Sequence, residues 1–302
     1  MNGNPADPVL NSDQVLRIAN RHATSSEVTG VEESGGEARA YYIDSDKVMK
    51  VQRPHRVRER TSQEREVLFL DELSSFPEVT VPQVFGYGRE GDSIEYTVMS
   101  RMPGQALGLV NPTGEKRSQA LSDLGRMLYY LHHLPDQEKL TGSGLFPVDR
   151  GEQDLVIRII EPLNQFADTI AQEGQEWTPA LSPHEIVARA SARMSYSEKK
   201  ALHSNPALSH TLVDPHTHAL TGLIDLGDAY ISHPSNDLRR CLSPQDRQDI
   251  FSGYNALKKA DDAFMSVWIV NQLLSDFICI AHSNEFRADA VDEVAQIARD
   301  YL

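Results

Sequence analysis

An α+β architecture in two lobes is predicted: a small antiparallel sheet with one main helix, then a larger and mostly helical part. Three observations predict it. Short strand-like segments cluster between residues 27 and 99, helical periodicity dominates after residue 104, and one strand pair reappears near 212–224. Strands followed by helices, rather than alternating with them, argue against a doubly wound parallel sheet. The chain has 302 residues, enough for one large core or two lobes.

Residues 12–23 predict a short helix capped by Ser12 or Asp13, with Val15, Ile18 and Ala19 on one face. Residues 27–31, 38–43 and 47–51 read as strands, joined by Ser34-Gly35-Gly36 and by Asp44-Ser45-Asp46. Residues 61–73 predict the main helix, with Val67, Leu70 and Leu73 recurring on one side. Strands follow at 83–88 and 94–99, and Met102-Pro103-Gly104 breaks the pattern. An N-terminal lobe over 1–101 and a C-terminal lobe over 102–302 are expected. In the second, residues 116–134 place Leu121, Leu124, Leu128 and Leu131 on one stripe, and 154–173 and 184–194 predict further helices. Leu212-Val213 and 220–224 read as a hairpin with a turn at 214–218, and three helices follow Pro244.

Lys and Arg number 29 against 44 Asp and Glu, a net charge of −15. Such a surface repels phosphate backbones and anionic lipids, so neither nucleic acid nor membrane is an expected partner. It attracts cationic small molecules and serves solubility equally well. Cys241 and Cys279 are the two cysteines, too few for a disulfide framework or a zinc cluster, and buried inert thiols in a reducing cytoplasm are expected. The segment 1–11 lacks a basic-then-apolar leader. The apolar run near the C-terminus is interrupted by Asn271, Gln272, Ser275 and Asp276, and reads as too polar and too short to span a bilayer.

The chemistry-bearing residues fall in three places. Lys50 ends a strand and Glu66 lies on the next helix, a pairing that can position nucleotide phosphates and that solvated residues also produce. The segment 203–215 reads His-Ser-Asn-Pro-Ala-Leu-Ser-His-Thr-Leu-Val-Asp-Pro. Residues 224–229 then read Ile-Asp-Leu-Gly-Asp-Ala, and Asp237-Leu238 follows. The chain resembles the aminoglycoside phosphotransferase and choline kinase-like family of small-molecule kinases over about 28–241. That family's pattern is H-G-D-L-x-x-x-N, then I-D-[WFL]-[GE]-D-A, then D-L. The resemblance implies a protein-kinase-like fold, ATP or GTP as phosphoryl donor and Mg²⁺ as metal.

Residue by residue, the resemblance places His203 on the motif histidine, Ser204 on the glycine and Asn205 on the catalytic aspartate. His210 stands on the metal-binding asparagine, where macrolide kinases also resemble it. Setting His210 on the motif histidine instead would delete the catalytic segment. Asp225 is the carboxylate implied to hold Mg²⁺ with His210. Asn205 accepts a hydrogen bond but cannot take a proton, and loss of a positioned base typically costs about 10²–10⁴-fold. Imidazole nitrogen is a poor Mg²⁺ ligand, so a weaker metal site is expected.

On the nucleotide side the resemblance makes Ser34, Gly35 and Gly36 the loop over the phosphates. Ser100, Arg101 and Met102 become the hinge against adenine, with Val48 and Ile224 as apolar walls. Both sets are equally accounted for as a hairpin turn, a strand end and core. His203 is expected to brace the catalytic loop, His132-His133 to be explained by packing or helix-end charge, and His216 and His218 to sit in a solvated turn rather than a metal site. The arginines of 53–60 read as a solvated or ion-paired stretch. Relatives often hold substrate amino groups with acids from the region of Asp154, Glu161, Asp168, Glu173 and Glu185. Asp228 serves either as a turn cap or toward the substrate, and Asp262 and Asp276 are left open.

Two functions are therefore expected in competition. One is an ATP- or GTP-dependent phosphotransferase acting on a hydroxyl of a polar, cationic small molecule, such as an aminoglycoside-type antibiotic or related metabolite. Its catalytic residues would be Asn205, Asp225 and His203, with Lys50 and Glu66 on the nucleotide. The other is a pseudokinase that binds nucleotide or a small molecule without transfer. Asn205 favours the second; the retention of Lys50, Glu66 and Asp225 favours the first.

Overall fold

The computed structural model describes residues 7–57, 61–91, 93–172, 177–196 and 198–302. Helix α1 (Ser12–Ala19) is capped by Asn11, one residue earlier than the sequence suggests, because Asn11 and Gln14 form a reciprocal capping box. Strands β1 (Val28–Glu32), β2 (Ala38–Ile43) and β3 (Lys47–Gln52) precede α2 (Gln63–Leu73), and β4 (Val84–Glu90) and β5 (Ile94–Ser100) follow it. All five pair antiparallel in the order β1-β2-β3-β5-β4.

The two-residue period of β3 decides what each face of this sheet does. Met49 and Val51 are fully buried in a cluster with Val15, Ile18, Tyr41, Ile43 and Val98, beneath α1. Val48 and Lys50 turn the other way. On that same face Thr97 Oγ1 donates to Gln63 Oε1 of α2 at 2.8 Å. The buried side of α2 carries Phe69, Leu70 and Leu73, with Gln63, Arg65 and Glu66. Val67 is only partly buried, so a hydrophobic stripe misreads a helix whose inner face is half polar.

The rest is predominantly helical. Short β6 (Gln105–Ala106) and α3 (Leu107–Val110) lead into α4 (Gly114–His132) and α5 (Gln137–Gly142). Helix α6 (Glu152–Leu155) passes through a π-helical turn, Val156–Ile160, into α7 (Glu161–Gln172). The single helix expected over 154–173 is thus interrupted, and Glu173 lies outside the described residues. Then come α8 (Pro183–Arg193), β7 (Lys200–Leu202), β8 (Thr211–Val213), β9 (Leu220–Leu223), β10 (Tyr230–Ser232) and α9 (Ser235–Leu238). Strands β6, β8 and β9 form one small sheet, and β7 and β10 another. The predicted hairpin is β8–β9; β6, β7 and β10 have two or three residues and give no periodic signal.

Three helices close the chain as expected: α10 (Pro244–Leu257), α11 (Asp262–Ala281) and α12 (Arg287–Asp300). Helices α4 and α10 touch backbone to backbone. A Cβ on Gly125 would stand 1.9 Å from the Ile250 carbonyl oxygen, and one on Gly253 1.8 Å from that of Ser122. Helix α11 corrects the sequence expectation, since it is long and apolar enough to cross a membrane. Most of it is instead buried inside the protein, where Asn271, Gln272, Ser275 and Asp276 are themselves buried. Cys279 lies within α11; both cysteines are buried and free, and burial pushes the Cys241 thiol up to about 12.

Candidate active site

Three residues far apart in sequence meet at one ammonium group. Lys50 Nζ donates to Glu66 Oε2 at 2.7 Å, to Glu66 Oε1 at 3.0 Å and to Asp225 Oδ1 at 3.0 Å. Strand β3 aims Lys50 and the first turn of α2 presents Glu66. Asp225 follows β9 in a left-handed backbone conformation, φ 70°, which costs a non-glycine residue energy and recurs at functional sites. Glu66 Oε1 also accepts the Leu226 N–H at 3.2 Å, so α2 and the β9 loop are fixed together. Burial alone would lower the Lys50 ammonium, but Asp225 and Glu66 outweigh it and hold it above its usual range. Lys50, against the effect of burial and helped by His210, holds the Asp225 carboxyl well below the usual carboxylate range.

The 203–210 loop lies against this group. His203 Nε2 donates to the Ile224 carbonyl at 3.1 Å, and its Nδ1 accepts the Asn205 N–H at 3.3 Å. That pair of bonds demands the neutral ring, and burial lowers its pKa to about 4. His210 Nδ1 meets the Asn205 carbonyl at 2.9 Å, so Nδ1 carries the hydrogen. His210 Nε2 stands 3.5 Å from Asp225 Oδ2. In the neutral ring that is a lone pair facing a carboxylate, and a proton or a cation between the two satisfies both. The Asn205 side-chain amide has no hydrogen-bond partner among the described residues. It is available to a ligand, whereas its backbone fixes both histidines.

Sequence reasoning missed what carries this loop. The fully buried Asp237 carboxylate accepts the N–H groups of His203 at 2.8 Å and Ser204 at 2.9 Å, and meets His132 Nε2 at 3.0 Å. His132 Nδ1 meets Tyr254 Oη at 3.2 Å. His132 is thus a brace for the catalytic loop, which helix-end packing alone does not convey, and the sequence signal was the Asp237-Leu238 match. Burial raises the Asp237 carboxyl, but the His132 bond and charge outweigh it and leave it lowered. Asp228 is buried and accepts Thr61 Oγ1 at 2.6 Å. The buried Arg65 donates to the carbonyls of Leu145 at 2.7 Å and Gly227 at 3.3 Å, tying α2 to the helical part.

Other expected residues lie apart from the cluster. Ser34 N–H donates to Glu32 at 2.7 Å, and the Gly35 carbonyl accepts Arg53 at 2.9 Å, so the Ser34-Gly35-Gly36 loop is held from the end of β3. A Cβ on Gly35 would meet the Ala38 carbonyl oxygen at 2.5 Å, while Gly36 has open space. Part of the 53–60 arginine run falls outside the described residues. Ser100 Oγ accepts the Gln83 N–H at 2.9 Å, and the Met102 side chain crosses the face of Gly222. Val48 and Ile224 are partly buried. Asp214 closes its turn by accepting the His216 and Thr217 N–H groups at 2.9 and 2.7 Å. No group of three or more His, Cys, Asp and Glu with metal-binding spacing occurs among the described residues.

With this geometry in place, the profile of the phosphotransferase enzyme family (APH) matches residues 28–263, and the chain belongs to that family. Among solved structures, wild-type aminoglycoside 2'-phosphotransferase-IIIa in its GDP complex is 16% identical, covering 90% of this chain and 92% of that one, with a TM-score of 0.55. The apoenzyme of macrolide 2'-phosphotransferase MphH from Brachybacterium faecium is 18% identical, covering 96% and 98%, with a TM-score of 0.56. The ADP-bound aminoglycoside phosphotransferase APH(2'')-Ib is 16% identical, covering 93% and 96%, with a TM-score of 0.57. No curated protein matches the sequence significantly. The similarities establish the protein-kinase-like fold: an antiparallel-sheet N-lobe on a helical C-lobe.

Proposed function

We propose that the chain transfers the γ-phosphoryl group of ATP or GTP to a hydroxyl of a polar small molecule. The observation that carries this reading is the Lys50 ammonium held by both Glu66 and Asp225. In this role Lys50, fixed by Glu66, holds nucleotide phosphates, and Ser34, Gly35 and Gly36 cover them. Ser100 and Met102 flank the base, between Val48 and Ile224. The similar structures in complex with GDP and ADP support a nucleotide as ligand. In this reading the lobes divide at 101/102, with the hinge between the five-stranded sheet and β6.

Asp225 would supply the oxygen that Mg²⁺ prefers, with the His210 nitrogen beside it a weak ligand, so the site would hold the metal loosely. One Asp225 oxygen and the His210 Nε2 lone pair face each other, and Mg²⁺ binds through one or two carboxylates with substrate phosphates supplying further oxygens. Its chemistry there is to neutralise charge on the phosphates. The transfer forms an acceptor O–P bond and breaks the bond from γ-phosphorus to its bridging oxygen, releasing nucleoside diphosphate. Asn205 orients the hydroxyl through its free amide oxygen. It cannot keep the proton, which leaves to a phosphoryl oxygen or to water. Rate then rests on positioning and charge stabilisation. The missing carboxylate at Asn205 supports the pseudokinase as the second reading.

Release of diphosphate from Mg-ATP and Mg-GTP, followed with and without hydroxylated acceptors, separates them. Acceptor-stimulated release lost in Asp225→Ala supports the transferase. Nucleotide binding without release supports the pseudokinase.

A further inference from the structure

The arginine run that starts at Arg53 reads in the sequence as solvated or ion-paired, yet Arg53 is only 3% exposed. Its guanidinium forks onto the loop proposed to cover the phosphates. Nη1 donates to the Gly35 carbonyl at 2.9 Å. Nη2 donates to the Glu33 carbonyl at 3.0 Å and to Glu33 Oε2 at 2.6 Å. The Arg53 backbone N–H donates to the Glu37 carbonyl at 2.8 Å, which also accepts Gln52 Nε2 at 3.2 Å. Three carbonyls of the loop therefore end on one residue.

Further residues brace Arg53. Glu33 Oε1 accepts Arg39 Nε at 2.7 Å, and Asp7 Oδ2 accepts Arg39 Nη2 at 3.1 Å and stands 3.7 Å from Arg53 Nε. The Pro8 carbonyl accepts Arg39 Nη1 at 2.6 Å, and the Leu10 N–H donates to the Tyr41 hydroxyl at 2.8 Å. The segment leading into α1 is thus tied to β2 and to the loop. Two buried guanidiniums face two carboxylates. Such a cluster adds little net stability against its desolvation cost; what it can supply is one fixed arrangement. That arrangement has a consequence at Gly36. The peptide bonds are trans, so the N–H of each peptide points opposite to its carbonyl. With the Gly35 carbonyl on Arg53, the Gly36 N–H is turned away from Arg53, and a Cβ on Gly36 would meet no atom within 4 Å. Backbone N–H groups left free in a glycine-containing turn suit phosphate oxygens.

We infer that Arg53 is a positioning residue for the nucleotide: by holding the Glu33, Gly35 and Glu37 carbonyls it presets the phosphate loop with the Gly36 N–H free, while Glu33, Arg39 and Asp7 hold Arg53 in turn. Arg53 acts through the loop and not by touching the nucleotide, since both its Nη groups are already bonded to loop oxygens. A loop ordered in advance loses less entropy on binding, so the clamp is expressed as nucleotide affinity. The inference rests on the phosphotransferase reading.

Two measurements on the full chain test it. One is isothermal titration of Mg-ATP and Mg-GTP; the other is cleavage within residues 32–37 by a glutamate-specific protease, without nucleotide. Arg53→Met is expected to weaken the nucleotide about tenfold and to speed cleavage of the loop, with cleavage elsewhere unchanged. Arg53→Lys keeps the charge but not the fork, and is expected to bind nearly as weakly as Arg53→Met. If Arg53→Met does not fold, Glu33→Ala, at a side chain more than half exposed, is expected to move both readouts the same way, the affinity by about threefold. Wild-type affinity in Arg53→Met, full recovery in Arg53→Lys, or cleavage that rises across the whole chain overturns the positioning role. Wild-type protein that binds neither nucleotide, with loop cleavage still answering to Arg53→Met, overturns the phosphotransferase reading and leaves the loop clamp standing.

Discussion

The Ser204 N–H donates to Asp237 Oδ1 at 2.9 Å while Ser204 itself sits in the left-handed region, φ 79°. The bond requires that conformation at the position where the family's pattern has glycine. A serine there carries backbone strain of about 1 kcal/mol. Ser204→Gly is therefore expected to raise unfolding free energy by roughly 0.5–1 kcal/mol, offset in part by glycine's unfolded-state entropy. Urea denaturation reads this directly; a loss of stability would contradict the strained geometry.

Acid should destabilise the fold through two buried histidines. Burial lowers His203 to about 4 and His233 to about 3, against 6.5 in the unfolded chain. The unfolded rings take up protons first as pH falls, so this contribution is complete above 6.5. It is lost as pH falls towards 4 for His203 and towards 3 for His233. Once fully lost, the contribution is about 3 kcal/mol for His203 and about 5 kcal/mol for His233. Urea midpoints from pH 7 to pH 4 should decline, and His203→Gln should flatten part of the decline. A profile unchanged by the substitution would remove His203 from the explanation.

Helices α4 and α10 have no room for a side chain at their crossing. Gly125→Ala would set a Cβ 1.9 Å from the Ile250 carbonyl oxygen, so one helix must move. The expected loss is roughly 2–4 kcal/mol, above the usual range for overpacking because the obstacle is backbone. Gly142→Ala, which meets no atom within 4 Å, should change little and is the control. Equal melting temperatures for the two variants would contradict the packing.

Asn205→Asp restores a proton acceptor with nearly the same shape. Turnover should rise by about 10²-fold, the low end for a general base, with nucleotide affinity little changed. Initial rates of diphosphate release at saturating nucleotide measure it. A rate that falls instead would show that this site depends on the neutral amide.

Much of this fold is legible in the sequence because its signals are local. The alternation of Val48, Met49, Lys50 and Val51 places Lys50 on the face opposite the α1 core, and the 224–229 motif locates Asp225 without a structure. The residues that hold the site were not legible for the opposite reason. Asp237, His132 and Tyr254 act together across more than 100 positions; Asp237 is legible as a motif match without a role, and His132 alone reads as packing. Strands of two or three residues such as β7 and β10 exist because tertiary neighbours pair with them, so no periodicity announces them.

In the proposed transferase, Lys50, Glu66 and Asp225 form a nucleotide-phosphate site. Isothermal titration of ATP and GTP, with and without Mg²⁺, tests it most directly on the wild-type chain, Lys50→Met and Asp225→Asn. Mg²⁺-enhanced binding is expected in the wild type. Lys50→Met should weaken it about tenfold or more, and Asp225→Asn should lose the Mg²⁺ enhancement. Wild-type protein that binds neither nucleotide, or variants that bind as the wild type does, would contradict it.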